Sequence, residues 1–257
     1  MNTVIFNKSR TSIVVILAIM INVLSAVPTT FRAWGTGSLN LMVNPGFGFT
    51  IMPCLRYEFV RADNSQRLPA RGFYFIEFLT GPFLMKKLQS FVAKLPVHYY
   101  YMGFPVRDPQ AYYYSHNINL APAVEYRQNR FSTTGRMILV NTFYASVYTT
   151  NSERWGYSML LRAMLQAGYT ARRKVSLYLS DEPFIGLITD SQAPANAAGY
   201  PARGLLMNRI NLSVEIRFRP SFVLTPQYIF ETCHDAERRI IGVNHNVMLT
   251  LVSIVKM

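Results

Sequence analysis

RWGYSMLLRAMLQAGY, residues 154–169, is the stretch that decides the fold. Trp155, Tyr157, Met159, Leu161, Ala163, Leu165 and Tyr169 share one parity, while Arg154, Ser158, Arg162 and Gln166 share the other. A period of two sends successive side chains to opposite faces of a strand, so one face is greasy and the other can be wet. Strands of soluble proteins average about 5–6 residues, whereas a long strand with aromatic ends suits a barrel standing in a bilayer.

The same alternation recurs outward from this segment. Strands are expected near 31–43, 47–60, 72–84, 88–102, 112–127, 131–148, 153–169, 174–187, 205–218, 221–231 and 240–256. Phe47, Phe49, Ile51, Leu55, Tyr57 and Phe59 form one apolar row; Ile118, Leu120, Val124 and Tyr126 form another; Ile210, Leu212, Val214, Ile216 and Phe218 a third. Leu249, Leu251, Val255 and Met257 share a face of the last segment. Tight turns such as Asn44-Pro45-Gly46, Gln128-Asn129-Arg130 and Arg219-Pro220 alternate with longer connections at 61–71, 103–111, 188–204 and 232–239. These features predict an all-β chain folded as an antiparallel transmembrane β-barrel of about 12 strands, within a range of 10 to 14.

Eleven segments can be read, but bacterial barrels normally hold an even number, so a further strand is expected within 182–204. Pro53, Pro82, Pro96, Pro122 and Pro226 fall inside strands, where each removes a ladder hydrogen bond and predicts a bulge or kink.

With 257 residues, half of them apolar, the chain has material for one domain. Beyond the N-terminus no run of about 18 apolar residues occurs, which excludes a bundle of membrane-spanning helices. Residues 1–26 carry Lys8 and Arg10, then the apolar Ile13 to Leu24, then Ser25 and Ala26. This is the layout of a secretory signal cleaved after Ala26, leaving residues 27–257 as the barrel domain. Cleavage would remove those two cations and lower the net charge of +13 to +11. The basic residues are scattered singly, which argues against nucleic acid and leaves lipopolysaccharide phosphates, other outer-membrane lipids and small anionic solutes as partners of an expected monomer.

Several segments together look like a known group: Trp34 in the opening strand, Arg56-Tyr57-Glu58, Glu125-Tyr126-Arg127, Ser180-Asp181-Glu182-Pro183-Phe184, and MNRINLSVEIRFRPSFVLTPQYIFE at 207–231. They resemble the single-barrel outer-membrane proteins of Gram-negative bacteria grouped under a domain of unknown function. The resemblance implies an outer-membrane location and leaves the activity open.

The inward parity collects Arg56, Glu58, Lys94, His98, Glu125, Arg127, Arg136, Arg162, Glu182, Arg209, Glu215 and Arg217 as candidate lumen-lining residues. Charges in a closed interior must be paired or solvated. They therefore predict either a lattice of ion pairs that plugs the barrel or a porin-like narrow aqueous path whose basic residues favour anions. The enzyme alternative is an outer-membrane lipid hydrolase, suggested by Ser115 beside His116; yet adjacent strand residues point to opposite faces, and a nucleophile must reach its base. A secreted soluble all-β binding protein is the remaining alternative. No cofactor is expected, and neither Cys54 and Cys233 nor His98, His234 and His245 have metal-ligand spacing.

Overall fold

Alternation over long segments with two-residue turns dictates neighbour-to-neighbour pairing, and that is what the chain adopts. The computed structural model describes residues 27–63, 66–104, 113–144, 156–189 and 203–257. The expected signal at 1–26 lies outside them, as do Arg154, Trp155 and most of the stretch in which a further strand was sought. The strands are β1 (Thr29–Asn44), β2 (Phe47–Asp63), β3 (Gln66–Leu68), β4 (Gly72–Leu88), β5 (Phe91–Phe104), β6 (Tyr113–Leu120), β7 (Ala123–Gln128), β8 (Phe131–Tyr144), β9 (Gly156–Arg172), β10 (Val175–Ile188), β11 (Gly204–Arg219), β12 (Phe222–His234) and β13 (Ile240–Lys256).

They form one all-β barrel. β6 and β7 are two halves of one strand, and β3 is a short addition on β2, so eleven strands run around the closed circuit. The odd count closes without a twelfth wall strand. In an up-and-down meander of eleven, the first and last strands run the same way, so the seam must be parallel. β1 pairs β13 in parallel over fourteen consecutive residues, from Thr29↔Val243 to Met42↔Lys256. All five tight turns and the end of β13 lie at one rim; the start of β1 and the longer connections lie at the other.

The in-strand prolines behave differently from expectation. None of the five is a bulge: the register continues unchanged past Pro53, Pro82, Pro96, Pro122 and Pro226. In an antiparallel ladder a residue's N–H and C=O point to the same neighbour, so proline costs pairing on one side and leaves the other intact. Pro226 illustrates this, pairing with Leu249 in β13 while contact with β11 lapses between Gln227 and Leu224. Register shifts occur elsewhere, for example at Arg56/Tyr57 and Phe184/Ile185.

The outer face is apolar between two aromatic rings. Near the turn rim stand the ring pairs Phe47–Phe49, Phe91–Tyr126, Phe131–Tyr169 and Phe218–Phe222. Near the loop rim stand Tyr57–Phe73, Tyr101–Tyr114, Phe143–Tyr157 and Phe31–His245. Between them Leu55, Leu95, Ile118, Met137, Leu165, Leu212 and Val247 are exposed.

Candidate functional site

Because paired residues in adjacent strands share a face, the register assembles inward side chains into lateral rows. One row joins Trp34 of β1, Arg56 of β2 and Phe75 of β4. The Arg56 guanidinium lies 3.9 Å from the Trp34 ring centre and 4.4 Å from that of Phe75, and it pairs with Glu77. A second row runs Glu182 of β10, Arg209 of β11, Glu231 of β12, Asn244 of β13 and Thr30 of β1. It is hydrogen-bonded along most of its length: Arg209 Nε donates to Glu231 at 2.9 Å, Asn244 donates to Glu231 at 3.2 Å, and Thr30 donates to Asn244.

Aromatic and charged groups tie these rows together. Arg209 stacks on both Phe184 and Trp34, at 4.4 and 5.2 Å. Arg162 stacks on Phe184 at 4.6 Å and donates to both carboxylate oxygens of Glu182 at 3.1 Å, while Arg136 reaches the same carboxylate at 3.0 Å. Arg32 donates to Glu58 at 3.3 Å, lies 4.0 Å from Glu231 and stacks on Tyr74. The contacts form one chain from β8 through β9, β10, β11 and β1 to β2 and β4.

Such a chain runs along the inner face of the wall. Eleven strands about 4.8 Å apart and tilted about 40° enclose a Cα cylinder about 22 Å wide. Inside that width long side chains from strands up to three places apart around the circuit meet, and Glu58, Glu231 and Phe184 are almost wholly buried.

The expected lumen residues therefore divide. Arg56, Glu58, Arg136, Arg162, Glu182 and Arg209 are brought into the lattice. Glu125 with Arg127 and Glu215 with Arg217 form two separate ion pairs near the turn rim, where the arginine side chains are 59 and 49 % exposed. Solvent reaches that end, which is a wet vestibule. Lys94 is also exposed there, and His98 faces inward without joining the lattice. Arg32, Trp34, Phe75, Glu77, Phe184 and Glu231 belong to the lattice beyond the expected set. Each holds the inward parity of its strand, a signal that was present in the sequence.

Beside the lattice, β6, β8 and β9 contribute a buried polar patch. Asn117 donates to the Tyr100 carbonyl at 2.9 Å and to Ser115 Oγ at 3.3 Å, and accepts from Thr142 at 2.6 Å. Ser115 is thus interior, whereas His116 faces outward against Tyr99 at 2.5 Å. Nucleophile and base stand on opposite sides of the wall.

Cys54 and Cys233 are free thiols. Cys233, expected in a loop, lies in β12, which extends to His234. Among the described residues no group of His, Cys, Asp or Glu could hold a metal ion. His234 and Asp235 are engaged locally: His234 hydrogen-bonds Thr232, and Asp235 accepts from Arg239. The backbone N–H and guanidinium of Arg239 hold the Asp235 carboxyl below its usual range.

No known family, no curated protein and no solved structure matches the chain.

Proposed function

We propose that the chain is an outer-membrane β-barrel of a Gram-negative bacterium whose lumen is closed by its own side chains, a sealed structural barrel rather than an open pore. The observation that carries this reading is the lattice of Trp34, Arg56, Phe75, Arg209, Phe184, Arg162 and Glu182, in which guanidinium planes are sandwiched by rings and matched by carboxylates. A conducting path needs solvated, mobile charge, whereas these groups are stacked and paired.

Supporting the membrane location are the exposed aliphatic band and the two aromatic rings, the apolar band with flanking girdles of a bilayer-spanning barrel. Closure of the circuit leaves no long sheet edge to pair with another copy, which suits a monomer. Several residues of the segments that resemble the outer-membrane family of unknown function, among them Trp34, Arg56, Glu182 and Phe184, belong to the lattice. At the turn rim Lys87, Arg130, Arg173, Lys174, Arg219 and Lys256 are exposed, a basic collar suited to anionic lipid headgroups such as lipopolysaccharide phosphates.

The test is reconstitution into liposomes loaded with a mixture of small sugars and anions. The sealed barrel resists carbonate extraction from the bilayer and releases neither solute class. Rapid release of anions would show an open basic pore, and loss of the protein to the soluble fraction would support a soluble all-β protein.

A further inference from the structure

The outer wall carries a recess that the sealed lumen does not use. A barrel is convex toward its surroundings, so a hollow forms on that face only where outward side chains are short. The register sets one such row across six strands: Lys86 of β4, Ala93 of β5, Val124 of β7, Gly135 of β8, Leu165 of β9 and Asp181 of β10. All six share the outward parity, while Lys94, Ala123 and Arg136, their neighbours along the strands, point the other way. A Cβ placed on Gly135 would meet nothing within 4 Å, so the floor is open there. Leu84, Leu95 and Met137, all exposed, stand along the loop-rim side. The stacked pair Phe91 and Tyr126 stands one row nearer the turn rim. The hollow measures about 980 Å³, at the upper end of the range of ligand pockets, about 300–1,000 Å³.

The two ends of the row differ in depth and in charge. Lys86 lies two residues from the turn end of β4 at Leu88, whereas Asp181 lies six from that of β10 at Val175. Rows perpendicular to tilted strands climb the wall, so this one descends from headgroup level toward the middle of the apolar band. Lys86 is exposed and makes no ion pair among the described residues. Asp181 accepts from Asn208 at 2.8 Å, and Leu165, 65 % exposed, stands between it and Gly135 in the row. An anionic group therefore fits the Lys86 end alone.

An apolar track that starts at a free ammonium at headgroup level and runs down into the hydrocarbon has the polarity of a membrane lipid. One cation and a track one row wide match a single phosphate with its acyl chains, and not a lipid with several phosphates and many chains. We propose that this groove holds one anionic diacyl phospholipid, its phosphate on Lys86 and an acyl chain along Ala93, Val124 and Gly135, ending against Leu165. Head and tail lie on the same outer face, and no group of the lattice takes part. The site rests on the barrel reading above and gives the turn rim one defined lipid.

The experiment is native mass spectrometry of the protein in a neutral polyoxyethylene detergent, its folded state checked by heat-modifiable migration, after addition of dioleoylphosphatidylglycerol, dioleoylglycerol or lipid A. One phosphatidylglycerol per chain is expected at saturation, with neither the neutral glyceride nor lipid A held as tightly. Lys86→Gln weakens retention about tenfold through loss of a charge-assisted contact. Gly135→Leu, which fills the open floor, weakens it at least as much. Lys94→Gln, whose side chain faces the vestibule on the other side of the wall, changes nothing. A graded ladder of lipids with no preferred count, equal retention of the neutral glyceride, tighter retention of lipid A, or binding indifferent to either Lys86→Gln or Gly135→Leu would overturn the proposal. A protein that resists carbonate extraction but holds no phospholipid would lose this site alone; loss of the protein to the soluble fraction would remove the barrel reading, and the site with it.

Discussion

The Arg56 guanidinium lies 3.9 Å from the centre of the Trp34 ring, and the two residues face each other across the β1–β2 ladder. Arg56 also pairs with Glu77, so its removal strands a buried carboxylate. Arg56→Ala is expected to destabilise the barrel by about 3–5 kcal/mol, whereas Arg56→Met combined with Glu77→Gln recovers much of that loss. A double-mutant cycle with Trp34→Leu isolates the stacking, expected at about 1–2 kcal/mol. Denaturant unfolding in detergent measures all three; additive effects of Trp34 and Arg56 would remove the coupling.

Glu182 is held by two arginines, Arg136 and Arg162. Glu182→Gln removes the carboxylate that both pair with and is expected to cost about 3 kcal/mol or more. Glu215→Gln, which breaks the solvent-reached pair with Arg217, costs under about 1 kcal/mol. Comparable losses at the two positions would mean that the interior is uniformly wet.

The parallel seam predicts a specific crosslink. Ser38 of β1 pairs with Val252 of β13. Cysteines placed at both positions, with Cys54 and Cys233 replaced by serine, should oxidise to an intramolecular disulfide in folded protein and abolish heat-modifiable migration. Failure to crosslink, or crosslinking between chains, would open the circuit.

Asp181 is an acid on the outward face, flanked in its row by Leu165 and Ile210. Charge on a lipid-facing surface is unfavourable, so Asp181→Asn, which keeps a partner for Asn208, is expected to stabilise the barrel in liposomes by about 1 kcal/mol. Destabilisation instead would place that face against water.

Much of this architecture is legible in the sequence because it depends on local pattern. Period-two alternation and turn residues locate the strands: β2 begins at Phe47 and β13 spans Ile240–Lys256, as expected from the chain alone. The inward parity likewise identifies Arg162 and Glu182. What is not legible is the relation between strands distant in sequence. That Arg209 meets Trp34 depends on the shear of the whole barrel, and no local signal encodes it. The parallel closure escapes for the same reason, since it is a property of the odd circuit rather than of β1 or β13. The prolines mislead because the alternation does not reveal to which neighbour each missing N–H would have pointed. Pro122 divides one strand into β6 and β7 without disturbing the outward row of Ile118, Leu120, Val124 and Tyr126.

The most direct test of the sealed barrel is the single-channel current of the purified protein in a planar bilayer, recorded for the native chain and for a variant carrying Trp34→Ala, Arg56→Ala and Phe184→Ala, both confirmed as folded by heat-modifiable migration. The native protein is expected to insert silently and the variant to give discrete steps through the space the lattice had filled. Regular anion-preferring steps from the native protein would contradict the account.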